Sequence, residues 1–76
     1  MAVQRFTPRE AVVLGKNIAL LRKASGLSQD VLAERLDVTP RYVQKLERGI
    51  HTPSLGLLVR LRKALKTGWV ELLAGL

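Results

Sequence analysis

Cysteine is absent from this chain, histidine occurs once, and the aromatic residues are Phe6, Tyr42 and Trp69 alone. The first absence excludes a disulfide staple and any thiolate metal site, and His51 by itself offers too few ligands for zinc. No metal and no cofactor are therefore expected. So few aromatics also argue against single-stranded nucleic acid as a ligand, which usually needs several stacked bases. Scattered acids, with no paired carboxylates and no glycine-rich phosphate loop, leave no catalytic constellation, so an enzyme is not expected. There is neither a charged-then-apolar leader nor an apolar run near the roughly eighteen residues of a membrane span. The expectation is a soluble, cytoplasmic protein with no membrane partner.

Acid is the scarce charge. Six Asp and Glu stand against thirteen Lys and Arg, a formal net charge of +7 over 76 residues. So basic a small chain suits a polyanion, with nucleic acid ahead of acidic membrane surface. Its length allows a single domain, 1–76, near the size at which one core is barely sufficient, which makes stabilisation by a partner subunit plausible. The charge is unevenly placed: 1–27 carries five cations against Glu10, 50–76 four against Glu71, and 28–49 four of each sign.

Residues 1–6 are too short to form an element and read as an unstructured arm, from which Arg5 could reach a phosphate. Beyond it, local signals predict five helices near 8–25, 28–36, 40–48, 54–66 and 70–74. Thr7-Pro8 with Glu10 is a capping box, and Leu14, Ile18 and Leu21 form an inward stripe that Gly26 ends. Gly15 interrupts that helix at a cost of about 1 kcal/mol, which close packing of another helix would justify. Ser28 caps the second helix and Asp30 suits its first turn. Thr39-Pro40 opens the third, and Gly49 suits a left-handed stop. For the fourth, Thr52 and Ser54 are equal cap candidates; Leu55, Leu58, Leu61 and Leu65 make its inward stripe, and the cations Arg60, Arg62, Lys63 and Lys66 complement its C-terminal dipole. Leu72 and Leu73 of the fifth point to the core, and Trp69 reads as a packing residue at the domain edge.

The third helix has two opposed faces at about 100° per residue. Val43, Leu46, Glu47 and Ile50 lie on one; Arg41, Gln44, Lys45 and Arg48 lie on the other, with no acid among them. Two short helices meeting at Asp37-Val38-Thr39, with small Ala33 where they must approach, have helix-turn-helix spacing over Gln29 to Arg48. With LSQ at 27–29, LA at 32–33, LERG at 46–49, PSL at 53–55 and AL at 64–65, the chain resembles the phage repressor, Cro and xenobiotic-response-element family from roughly Leu14 to Gly75. The resemblance implies an all-α, five-helix repressor-like domain, with its helix-turn-helix at 28–48 and its second motif helix in the major groove. Two positions depart from the family: Asp37 stands where glycine is usual in the turn, and Arg62 replaces a small residue.

Arginine or lysine fits guanine O6/N7 and glutamine fits adenine N6/N7, so Arg41, Gln44 and Lys45 are the base-reading candidates. The resemblance adds Pro40, which can offer only contact with a thymine methyl. Gln29, Ser28, Arg48 and Tyr42 are phosphate candidates, Gln29 by virtue of the free N–H groups at its helix start, which the resemblance also implies. Tyr42 fits edge-of-core packing equally well. Glu47 falls on the inward face, where a lone carboxylate is costly, and Arg22 is the cation that the resemblance pairs with it.

These readings converge on a sequence-specific regulator of transcription that binds double-stranded DNA, with no small-molecule effector evident. The alternative is a protein-interaction module on the same fold, such as the antitoxin of a toxin–antitoxin pair. Hydrophobic content of 47% exceeds what one small core requires. The surplus lies late, in Leu57, Val59, Trp69, Val70 and Leu76, so a homodimer joined through 54–76 is expected.

Overall fold

Helices account for the secondary structure of the computed structural model, which describes residues 5–76: α1 (Pro8–Ala24), α2 (Gln29–Leu36), α3 (Pro40–Glu47), α4 (Leu55–Ala64) and α5 (Trp69–Leu72). The first four helices start where short polar side chains satisfy free backbone donors, whereas α5 follows Gly68 without a side-chain cap. Thr7 Oγ1 accepts from the Glu10 amide at 3.1 Å while Glu10 Oε1 accepts from the Thr7 amide at 2.8 Å, completing the capping box. Ser28, Thr39 and Ser54 each accept from the amide three residues on, so Ser54, not Thr52, caps α4.

The first four helices end alike, in a left-handed residue whose amide and successor turn back on the last helical carbonyls. Gly26 and Gly49 supply that residue after α1 and α3, whereas Asp37 (φ 58°) and Lys66 (φ 52°) supply it after α2 and α4. Asp enters this conformation more readily than most residues, which is how the turn at 37–39 forms without glycine. α4 therefore stops two residues short of the expected 66. α5 begins at Trp69 and ends at Leu72, and the carbonyls of Leu72 and Ala74 accept from Asn17 Nδ2 at 2.9 and 2.8 Å, fastening the chain end to α1.

Leu14 and Ile18 of α1, Leu32, Ala33 and Leu36 of α2, Val43 and Leu46 of α3, Leu58, Leu61 and Leu65 around α4, and Leu72 of α5 form one core. α3 packs on both α1 and α2, α4 on α2, and α5 on α1. Two residues assigned inward from the helical wheel lie outside it. Leu55 is 75% exposed and Ile50 is 55% exposed. Leu55 is the first residue of α4 and Ile50 lies beyond the end of α3, so each extends its stripe past the point where a neighbouring helix remains to cover it. Leu21 is half-buried, and the neighbouring Arg22 takes the buried position.

Of the expected arm, 1–4 lies outside the described residues; Arg5 is exposed, and Phe6 is half-buried against the core, where an unstructured residue was expected. Among the described residues no helix is long and apolar enough to cross a membrane, and no group of His, Asp and Glu could hold a metal ion.

Candidate nucleic-acid interface

α3 is the most sharply two-sided helix of the chain because its buried side chains, Val43 and Leu46, are three residues apart and everything opposite them is polar. Pro40, Arg41, Gln44 and Arg48 are exposed, and Lys45 is half-buried. With Pro40 fixing the first turn and Thr39 holding its amides, the helix presents Arg41 and Gln44 from its N-terminal half. That half can enter a groove first. Tyr42 is half-buried against the core, and its ring stacks on His51 at 5.5 Å between centroids and 14° between planes. His51 thus serves as a platform for Tyr42, a role its sequence position did not signal.

The inward side of α3 carries the buried polar network. Arg22 Nε donates to Glu47 Oε2 at 2.5 Å and Arg22 Nη2 to Glu47 Oε1 at 3.1 Å, a two-pronged pair whose side chains are 10% and 7% exposed. Arg22 Nη1 also donates to the Leu27 carbonyl at 2.9 Å, across the turn that leads into α2. A third donor reaches the same carboxylate: Gln29 Nε2, at 2.9 Å from Glu47 Oε1. One ion pair therefore fixes α3 against α1 and against the start of α2. It was legible only in part, because the Gln29–Glu47 contact joins residues eighteen apart on different helices.

That contact constrains the role of Gln29. A carboxamide has two N–H groups; Glu47 takes one, and the second remains for an anion beside the free amides of the α2 first turn. Ser28 is exposed, its oxygen accepting from the Val31 amide while its O–H can still donate. Ser28 and Gln29 thus keep donors free at the start of α2, and Arg48 is exposed at the end of α3.

The late apolar residues divide. Leu57 is half-buried against the core and Val59 is half-buried, whereas Trp69, Val70 and Leu76 are 38%, 83% and 46% exposed. Leu76 faces an open hollow with Phe6, Pro53, Leu55 and Leu58, edged by Arg5, Glu10 and Thr52, so Leu55, which helical spacing placed inward, joins the exposed late residues. Arg62 answers the question its size raised: its guanidinium lies over the Trp69 ring, 5.1 Å from the centroid, using the large side chain to seat α5.

Residues 18–72 match the helix-turn-helix family. Over 52 residues the chain is 48% identical to an uncharacterised HTH-type transcriptional regulator of Rickettsia conorii, covering 68% of this chain and 42% of that protein. It is 37% identical over 60 residues to an uncharacterised HTH-type transcriptional regulator of Sinorhizobium fredii, covering 79% and 78% respectively. Among solved structures it is similar to the restriction-modification controller protein C.AhdI of Aeromonas hydrophila, with 35% identity, a TM-score of 0.80, and 86% of this chain and 94% of the other covered. The chain spans less than half the length of the rickettsial relative.

Proposed function

This chain belongs to the helix-turn-helix family, and from that premise we propose that it is a non-enzymatic transcription regulator that binds double-stranded DNA sequence-specifically in the cytoplasm. The observation that carries the reading is the exposed, acid-free side of α3, held on two neighbouring helices by the Glu47 network. Arg41 and Gln44 read base edges, Lys45 reads or steers from its half-buried position, and Pro40 lies against a thymine methyl. Ser28, Gln29 and Arg48 hold phosphates and set the register, with Tyr42 contributing its hydroxyl from the helix edge. Arg22 touches no DNA and acts by fixing the angle of α3.

The test separates base from phosphate contacts on duplexes selected from a random pool. Arg41→Ala is expected to cost about 1–3 kcal/mol on the selected duplex and to relax preference at one position, while Arg48→Ala weakens selected and random duplexes alike. Arg48 is the cleaner phosphate control, since Gln29→Ala would also remove a donor from Glu47. Equal losses for Arg41→Ala on both duplexes would refute base reading.

One recognition helix reads few base pairs, so two copies related by a two-fold axis supply the discrimination a genome demands. The C-terminal third offers the surface, with Leu55, Val70 and Leu76 exposed on it. Sedimentation at micromolar concentration should give a dimer, and Val70→Asp with Leu76→Asp a folded monomer. A wild-type monomer that binds a palindromic site without cooperativity would overturn the dimer.

A further inference from the structure

A second cationic surface lies where α2 and α4 end. Arg35, Arg60, Lys63 and Lys66 surround an open hollow of about 360 Å³ with Ala64 beside them, and no acid lines it. The α4 dipole favours the cations of its own helix end, with Lys63 in the last turn and Arg60 and Lys66 on either side of it. Two features go beyond that general preference. Arg35 comes from a different helix and is drawn over the α4 terminus, its Nη1 donating to the Ala64 carbonyl at 3.5 Å. Lys66 occupies the left-handed position after α4, at φ 52°, where glycine would form the same turn without the penalty of a Cβ. A strained residue that places a cation on a concave surface points from backbone to ligand.

We propose that this hollow is a docking site for an acidic segment of a partner protein. Its form decides between the two polyanions that its charge would suit. A duplex presents phosphates along a broad convex surface, whereas a hollow of this size, bounded by aliphatic lysine and arginine stems and by Ala64, admits a side chain or two. Carboxylates flanked by apolar residues fit it. The site is also independent of the reading face: Arg35 stands six residues beyond Gln29, about 9 Å along α2, and no residue of the hollow belongs to α3. A regulator can therefore hold DNA by one end of α2 and a protein by the other.

The probe is a short blocked peptide of alternating Glu and Leu, titrated into the ¹⁵N-labelled full chain. Amide shifts are expected at Arg35, Arg60, Ala64 and Lys66; shifts centred on Arg41, Lys45 and Arg48 would overturn the proposal. Arg60→Gln with Lys63→Gln should weaken the peptide about tenfold or more while leaving the ratio of selected to random duplex affinity within about twofold. A random duplex that shifts the hollow's amides as strongly as the peptide would instead make it a second nucleic-acid site. Lys66→Gly separates docking from packing, because it should raise Tm by relaxing the turn and yet lower peptide affinity; unchanged affinity would remove Lys66 from the site.

Discussion

Arg22→Ala is expected to lose about 3–5 kcal/mol of folding stability, the cost of leaving a buried carboxylate without its cation. A domain of this length has in total only roughly 4–11 kcal/mol to lose, so the urea midpoint followed by circular dichroism should fall by about a quarter or more. The size of the effect follows from what remains around Glu47. With Arg22 gone, the carboxylate keeps one donor, the Gln29 amide, in a site where its side chain is 7% exposed. Water cannot replace two charge-assisted bonds there without opening the contact between α1 and α3. The Leu27 carbonyl loses its donor in the same step.

Removing both charges has a different expected result. Arg22→Met with Glu47→Leu keeps similar volume and leaves no buried ion, so it should cost much less than Arg22→Ala alone. Gln29 is half-buried and can turn its freed amide to solvent. The double-mutant cycle should show a coupling well above additivity; additive effects would mean that the pair contributes nothing specific. Specific DNA affinity should fall in the double variant even where stability is largely restored, because the polar network sets the angle of α3 as well as its adhesion.

What was legible in the sequence divides by the distance over which each feature is determined. Caps at Thr7, Ser28 and Thr39 and stops at Gly26 and Gly49 are set by residues within one turn, and each helix starts and ends close to where those signals place it. The two sides of α3 were legible because a start at Pro40 fixes which residues share a face. The wheel misled at Leu55 and Ile50, which it treats as members of an endless helix; burial requires a neighbour opposite, and at a helix end there is none. Asn17 could not be anticipated, since its acceptors are the carbonyls of Leu72 and Ala74, more than fifty residues away. The same holds for Arg35 over the end of α4 and for Gln29 beside Glu47. In each case a polar side chain finds its partner only after the helices have packed, and no local pattern encodes it.

Gly15→Ala should be strongly destabilising, although by helix propensity it ought to help by about 1 kcal/mol. A Cβ at this position would lie 2.6 Å from the Glu47 carbonyl oxygen and closer still to that of Leu46. Both atoms are backbone of α3, so no rotamer change relieves the clash. The helix itself must retreat by about an ångström, at the roughly 1–3 kcal/mol or more that overpacking costs. The retreating turn holds Glu47, so the pair with Arg22 lengthens and a second penalty is added to the first. Gly56 provides the control, being helical in α4 with nothing closer to an added Cβ than Ser54 Oγ at 3.9 Å. Gly56→Ala should therefore raise Tm by a few degrees, on a scale of about 4–8 °C per kcal/mol for a domain this small. Gly15→Ala should lower it by ten degrees or more, at about the same conversion, and should weaken binding to a selected duplex more than to a random one, since it moves the helix proposed to read bases. Two substitutions of identical chemistry would then move Tm in opposite directions. If both raised Tm, the backbone of α3 would not be in contact with α1 at Gly15, and the seating of the reading helix derived from that contact would have to be abandoned.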